Sequence, residues 1–346
     1  METPVQMKAW YLIRNGNPHS AFELRNLVLP EPGPGEVQIQ VEAFGINYAD
    51  IMAVRGLYKD APPLPCILGY DVVGVVVKGG SGVENISPGM RVASFSRFGG
   101  YATHINVPAL ATISVPDHIS PAAATALVTQ FCTAWYCAEE LVTLHEGDRV
   151  LIHAAAGGVG LALIQLALRR KCIVFGTVGS EEKLQFIRSL GVHHPINYVK
   201  DDFTLVISQI LGKKNRLDVV FDSIGGLTFK KGFRLLGAGG RMVGFGGSSR
   251  TGKWGILSDL LFVLQWGFHH PAFLLMKSKS VIGVNMLRVA DYKPEILRSC
   301  LESVRELLEK GEINPPGGKI FESNQLADAI EYVGLRRSSG KVVVMW

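Results

Sequence analysis

Residues 153 to 167 read HAAAGGVGLALIQLA, a glycine cluster held between two apolar runs. The block before it, RVLIHAA, has the length and branched residues of a buried strand, and residues 158 to 169 have the character of a buried helix. A glycine turn from strand to helix either packs the helix tightly on the strand or lets backbone amides approach a phosphate. What surrounds the turn decides between the two.

From about residue 145 onward, strand-like and helix-like blocks alternate. RVLIHAA leads into 158 to 169, CIVFGTV into SEEKLQFIRSLG, HPINY into DDFTLVISQILG and LDVVFDSIGG into 227 to 236, and GRMVGFGG and SVIGVNM close the series. Six apolar strands separated by helices predict an α/β fold with a Rossmann-type doubly wound parallel sheet, because crossover helices join parallel neighbours and bury both faces. GGVG thus follows the first strand and opens the first helix, the setting in which a glycine cluster reads as a dinucleotide fingerprint. Gly157, Gly158 and Gly160, with Val159 between the last two, would bring helix N-terminal amides up to a pyrophosphate. Ala154, Ala155 and Ala156 and the face Leu161, Leu163, Ile164 read as packing.

An NAD site places an acidic residue at the tip of the second strand, where it accepts from the ribose hydroxyls. Here that tip reads GTVGSEEK, with Val178, Gly179 and Ser180 in its place. Ser180 and Lys183 offer a hydroxyl and a point charge to a 2′-phosphate, so NADPH is the expected cofactor, although Glu181 and Glu182 add negative charge to the same turn.

Before this region, VQIQVEAFGIN, VVGVVVKGGSGV, ISPGMRVASF and YATHINV are short strands punctuated by proline and glycine, which predicts a smaller, mainly β domain. After residue 287, a helix at 293 to 310 and the strand GKVVVMW return to it. The expected division is 1–125, 126–287 and 288–346.

Of the 346 residues 47% are hydrophobic, and the net charge of +5 is scattered in pairs such as Arg169 with Arg170. That pattern excludes a nucleic-acid-binding stripe. Five cysteines without a CxxC pair fit a reduced, cytoplasmic chain, and METPVQMKAWYLIRNG has no apolar leader core. The most apolar window, GILSDLLFVLQWGFHHPAFLL at 255 to 275, carries Asp259, Gln265, two histidines and Pro271 and makes a poor membrane span. It reads as a buried or dimer-facing segment, with a membrane-surface or partner role as the alternative.

The stretches PGPGEVQIQVEAFGINYADI, RGLY, LGYDVVGVV, GSGVENISPGMRV, GGYATH, HAAAGGVGLALIQLA, FGTVGSEEK, DSIGG and SSGKVVV run in order along nearly the whole chain. In this the chain resembles the zinc-independent quinone oxidoreductase branch of the medium-chain dehydrogenase/reductase superfamily. HPINY, DSIGG, the 248 to 280 insert and KSKSVIGVNML look most like the subgroup named for the synaptic vesicle amine transport protein homologue. The resemblance implies a GroES-like fold for the β domain, NADPH as cofactor and a homodimer formed through the outer strand near Val281 to Val284.

Zinc-binding members of the superfamily carry a cysteine ligand in GxCxxD and a His-Glu pair in GHE. The matching positions here are Asn47 in GINYAD and Tyr70-Asp71 in GYD, poor donors for tetrahedral zinc. The four-cysteine lobe is missing too, since six residues separate Val92 from Gly99. No metal is expected, and Cys132 and Cys137 are given no zinc role.

The resemblance further implies that Phe245, Gly246, Val284 and Asn285 border the nicotinamide, that Thr133 and Arg336 contact phosphate, and that Tyr198 flanks the adenine-side phosphate. Asn47 would hydrogen-bond a ribose or a substrate carbonyl, and Asp50 would fix the local loop. Tyr58 in RGLYKD is either a proton donor, as in the family's enoyl thioester reductases, or a cap on an apolar loop. The expected function is NADPH-dependent, zinc-free reduction of a small quinone or enone in an apolar cleft. A 2-enoyl thioester reductase and an NADPH-gated binding protein are the alternatives.

Overall fold

The computed structural model describes residues 5–249 and 263–346, so the 250–262 part of the insert lies outside the described residues. The chain divides into two units, Met1–Cys132 with Met286–Trp346, and Thr133–Asn285.

The first unit is built on strands β1 (Val5–Leu12), β2 (Phe22–Leu29), β3 (Glu36–Ile46), β4 (Cys66–Ile67), β5 (Asp71–Gly79), β6 (Arg91–Phe95), β7 (His104–Pro108) and β8 (Thr112–Ser114). Helices α1 (Pro18–Ala21), α2 (Tyr48–Val54) and α3 (Pro121–Ala126) lie in the same stretch, followed by α4 (Cys132–Trp135) at the boundary. Ser120 starts α3: its side chain accepts from the Ala123 amide at 3.2 Å, with Pro121 pre-set for the first turn. β3 lies inside its sheet with neighbours on both sides, and Val37, Ile39, Phe44, Val72 and Tyr101 are almost wholly enclosed.

The second unit alternates β9 (Arg149–Ile152), α5 (Gly158–Arg169), β10 (Ile173–Val178), α6 (Glu181–Ser189), β11 (His194–Asn197), α7 (Phe203–Leu211), β12 (Leu217–Asp222), α8 (Leu227–Leu235), β13 (Leu236–Gly244) and β14 (Ser280–Gly283). All six strands are parallel, in the order β11-β10-β9-β12-β13-β14. This is the doubly wound arrangement, with the winding reversing beside β9. β9 and β12 read as apolar blocks rather than alternating ones because helices cover both faces.

The chain then returns to the first unit with β15 (Ile320–Glu322) and β16 (Val342–Met345), completing the sheet β15-β16-β3-β5-β6-β8, while β7 pairs with β3. β16 runs antiparallel to β3 with Val342 opposite Ile46 and Val343 opposite Gly45, and β5 flanks the other side with Val72 opposite Phe44. β3 therefore carries Gly45 between the heads of β5 and β16. All five cysteines are buried and unbridged. Among the described residues no helix is long and apolar enough to cross a membrane.

Candidate active site

Open parallel sheets bind ligands in the crevice outside the carboxyl ends of their strands. The second unit gathers most of the residues singled out from sequence along that edge. After β9, Ala154 takes a left-handed conformation (φ 51°) and accepts from the Gly157 amide at 2.8 Å. A Cβ added at Gly160 would stand 2.5 Å from the Ala154 carbonyl oxygen and 2.8 Å from Ala155 backbone atoms, so any side chain would push α5 off the turn. The glycine cluster thus serves packing at Gly160 and, at the same time, opens a helix N-terminus. Gly157 caps α5 without a side chain, and the first-turn amides of Gly158, Val159 and Gly160 lie where a helix has no internal acceptors.

The tip of β10 carries no carboxylate at Gly179 and Ser180. Ser180 caps α6, its hydroxyl oxygen accepting from the Lys183 amide at 3.2 Å. Tyr198 follows β11 directly; its amide donates to the Val178 carbonyl at 3.0 Å, and its hydroxyl lies so close to Gly179 that an added Cβ would come within 2.6 Å. Gly179, Ser180, Lys183 and Tyr198 therefore form one corner. Glu181 is tied to Lys200 at 2.9 Å and Gln185 at 3.0 Å, and Lys200 holds its carboxyl below the usual range. The Glu181 charge at this turn therefore has its own counter-ion.

Farther along the edge, Asp222 at the end of β12 folds the DSIGG turn by accepting from the Gly225 amide at 2.9 Å and from that of Ile224. Phe245 follows β13 and donates its amide to the Asp222 carbonyl at 3.0 Å, and Gly246 presses on Ser223, where a Cβ would meet the carbonyl oxygen at 2.8 Å. Val284 follows β14, its amide donating to Gly244 at 2.9 Å, and Asn285 is exposed beside it. Thr133 is half-buried in α4 rather than in a strand-end loop.

In the first unit, Asn47 and Asp50 lie at the start of α2, so the local element is a helix and not the loop expected. Asp50 Oδ2 accepts from the Asn47 amide at 2.8 Å, closing the first turn. The Asn47 side chain also has partners within the first unit. Its Nδ2 donates to Asp71 Oδ2 at 2.8 Å, and its Oδ1 accepts from Lys341 Nζ at 2.9 Å. Both ends of the amide are turned inward by a pair that sequence reasoning missed, Lys341 with Asp71 at 2.5 Å, each side chain fully buried. The Thr129 hydroxyl also donates to Asp71 Oδ2. One signal was available: a lysine heading the strand VVVM, buried over most of its length.

Asp50 is fully enclosed, and burial pushes its carboxyl up to about 7. Its Oδ1, Asp71 Oδ1 and the Tyr70 and Tyr101 hydroxyls have no hydrogen-bond partner among the described residues. Tyr58 is half-buried in the loop after α2, edge-on to Tyr70 with ring centroids 6.2 Å apart. Burial raises its phenol above the ordinary value, with Asp60 and Asp50 adding to the effect and Arg288 opposing it. Arg336 is exposed after the helix Leu326–Gly334, in a left-handed conformation (φ 58°).

The three positions that match zinc-ligand motifs thus present an amide already hydrogen-bonded at both ends, a phenol and a carboxylate paired to an ammonium. This donor set does not fit zinc, which takes thiolate, imidazole and carboxylate ligands. Among the described residues one cluster of at least three His, Cys, Asp or Glu side chains converges, the exposed His19, Asp328 and Glu331.

Residues 33–117 match the family model of the alcohol dehydrogenase GroES-like domain, and residues 158–302 that of the zinc-binding dehydrogenases. The chain is 32% identical over 318 residues to the Homo sapiens synaptic vesicle membrane protein VAT-1 homolog, covering 91% of this chain and 80% of that one. The Escherichia coli quinone oxidoreductase complexed with NADPH superposes with a TM-score of 0.85 at 28% identity, covering 98% of this chain and 100% of that one. The CurK enoyl reductase superposes with a TM-score of 0.86 at 25% identity, covering 99% of each chain. The chain belongs to the medium-chain dehydrogenase/reductase superfamily, alongside the VAT-1 homologues.

Proposed function

We propose that the protein is an NADPH-dependent oxidoreductase that reduces quinones or conjugated enones without a catalytic metal. The observation that carries this reading is the edge of the parallel sheet, where a glycine turn, the α5 N-terminus and a carboxylate-free β10 tip lie on one side. The residues fit NADPH. First-turn amides of α5 suit the pyrophosphate, and Ser180, Lys183 and Tyr198 suit the 2′-phosphate, which an acidic residue at Gly179 or Ser180 would repel. Phe245, Gly246, Val284 and Asn285 would border the nicotinamide, with Thr133, Arg336 and Asn47 as further contacts. NADPH, when bound, supplies a hydride.

Alcohol oxidation needs its hydroxyl pKa lowered, commonly by a Lewis acid, and the Asn47, Tyr70, Asp71 set is closed by Lys341. Electron-poor acceptors need no such help. Asn47 would then offer its remaining amide N–H to the acceptor, and Asp50 would fix the turn that carries it. The similarity to VAT-1 homologues, a quinone oxidoreductase and an enoyl reductase supports a small-molecule acceptor.

Tyr58 favours a second reading, 2-enoyl thioester reduction. A half-buried phenol raised above its ordinary value stays protonated at neutral pH and can protonate an enolate more basic than itself. The test is loss of NADPH absorbance with an ortho-quinone and with a 2-enoyl thioester in parallel, NADH as control, for the wild type and Tyr58→Phe. Quinone turnover that survives Tyr58→Phe, with NADPH preferred, supports the first reading. Thioester turnover lost on Tyr58→Phe supports the second, and NADPH binding without turnover of either rejects both.

Cytoplasmic location and homodimerisation belong to the same reading. β14 is an edge strand paired with β13, and Phe268, Leu275 and Met276 on the neighbouring segment are each at least 80% exposed. A second copy covering them would form the dimer, and a monomer in light scattering would reject it.

A further inference from the structure

Two ion pairs meet on one short helix of the first unit, and both lead to the surroundings of Tyr58. The helix Met286–Tyr292 begins where the chain re-enters that unit, directly after Asn285. From it, Arg288 donates to Asp60 Oδ1, and Asp291 Oδ1 accepts from Arg97 Nε at 2.7 Å. Residues 288 and 291 stand three apart and so share one helix face. Asp60 follows Tyr58 by two residues in the loop after α2, and Arg97 lies in the bend after β6. The Asp60 and Asp291 side chains are well covered, at 16% and 19% exposure, whereas those of Arg288 and Arg97 are 52% and 57% exposed.

The segments so tied carry a row of rings. Tyr58 is edge-on to Tyr70, the Tyr70 and Phe98 centroids are 5.1 Å apart, and the Arg97 guanidinium lies 5.8 Å from the Phe98 centroid. The row is thus braced from the same helix at both ends, through Asp60 at Tyr58 and through Arg97 at Phe98. Within its own loop the Tyr58 carbonyl accepts a long bond from the Ala61 amide, 3.3 Å. A proton donor has to be held within hydrogen-bond reach of the atom it protonates, by neighbours that fix its orientation. We infer that Arg288 is a positioning residue for Tyr58, acting through Asp60, with the Arg97–Asp291 pair bracing the rings beside the phenol. This rests on the Tyr58 reading of the proposed function and adds to it the residues that hold the proton donor.

The Arg288–Asp60 pair also balances charge at the phenol. Burial does most to raise Tyr58, Asp60 and Asp50 add to that effect and Arg288 opposes it, with the Tyr70 phenol as the remaining ionisable neighbour. Arg288→Met leaves the Asp60 charge unopposed and makes Tyr58 a weaker acid. Asp60→Asn leaves the Arg288 charge unopposed and makes it a stronger one. A brace without influence on the phenol produces no such opposition.

The experiment uses the full-length protein and has two arms. In the first, Tyr58 is replaced by difluorotyrosine, which titrates at milder pH, and its ionisation is followed by fluorine NMR at low salt. Arg288→Met is expected to move the titration up and Asp60→Asn to move it down, each by about half a pH unit, and the double variant to return close to the starting value. The fluorine signal should also broaden in both single variants as the ring loses its fixed orientation. No shift in either, or shifts in the same direction, overturns the inference. In the second arm, Arg288→Met is expected to lower kcat for a 2-enoyl thioester about tenfold in the wild type and hardly at all in Tyr58→Phe. Equal losses in both backgrounds overturn the inference. Arginines half exposed to water add little stability, so melting close to the wild type is expected, and a large drop for Arg288→Met would mark a general brace and overturn it as well. Thioester turnover that survives Tyr58→Phe removes the Tyr58 reading of the function, and the fluorine titration then decides by itself whether Arg288 governs the phenol.

Discussion

Replacing Asp50 by asparagine tests how the first unit tolerates a carboxyl group in a fully enclosed position. Burial raises the Asp50 carboxyl from 3.8 to about 7, opposed by the Asn47 amide that donates to it at 2.8 Å. The folded state therefore holds a proton on Asp50 across a window in which the unfolded chain has released it. In that window the native state binds more protons, so stability falls as pH rises from about 4 to about 7 and is level above it. A difference of about 3 pH units at about 1.4 kcal/mol each amounts to about 4 kcal/mol lost between the two ends. The substituted amide would still accept the helix-starting hydrogen bond through its side-chain oxygen and would carry no charge. The assay is urea unfolding at several pH values from 5 to 8, followed by Trp10 and Trp346 fluorescence in the first unit.

Burial lowers the buried His153 and the partly buried His104 and His194, which tilt stability the opposite way, since the unfolded chain then takes up protons first as pH falls. The quantity to read is consequently the difference between the two proteins. Asp50→Asn should gain on the wild type steadily from pH 5 to pH 7 and keep its advantage at pH 8. A difference independent of pH, or one that shrinks as pH rises, would refute the reasoning.

Two perturbations bear on the nucleotide edge. Lys183→Ala should weaken NADPH binding about tenfold in fluorescence titration and leave NADH unchanged, as expected for loss of one charge-assisted phosphate contact; an equal loss for both nucleotides would place Lys183 elsewhere. Gly160→Ala should weaken both nucleotides together, because its Cβ must displace the Ala154 and Ala155 backbone at the turn; unaltered affinity would mean that α5 shifts freely and that the turn does not set the phosphate site.

The second unit is legible from sequence because its determinants are local. β9 and β12 are apolar blocks, and Ser180 and Asp202 cap the following helices from one residue away, Asp202 accepting from the Thr204 amide at 2.8 Å. The strand-end loops follow from the same alternation, so Gly157, Ser180, Tyr198, Phe245 and Val284 reach one edge once the strands are parallel. The helical stretch from Pro121 to Leu141 gives no such signal: it is buried on nearly every side and so shows no polar face from which to read a period, and two wide π turns, Leu127–Phe131 and Tyr136–Leu141, disturb what period remains. α2 escapes reading for another reason, being two turns long and started by Asp50 reaching back to Asn47.

Lys341 was hidden by distance along the chain. A lysine before an apolar strand ordinarily ends in water, and only the pairing of β16 with β3, and of β3 with β5, places its ammonium against Asp71. That pairing also explains why Asn47 could be recognised as a replaced ligand position while its partners within the unit, Asp71 and Lys341, went unread. The motif GINYAD states which residue stands at the position, while the direction of its amide depends on a lysine 294 residues later. The residues proposed to set chemistry in the first unit are held by long-range contacts, and those proposed to hold the nucleotide in the second by their own strand ends. Substitutions at Lys341 and at Gly160 should therefore differ in kind: the first acts on the stability of the unit that carries Asn47 and Tyr58, the second on affinity at one edge of a sheet whose packing is otherwise intact.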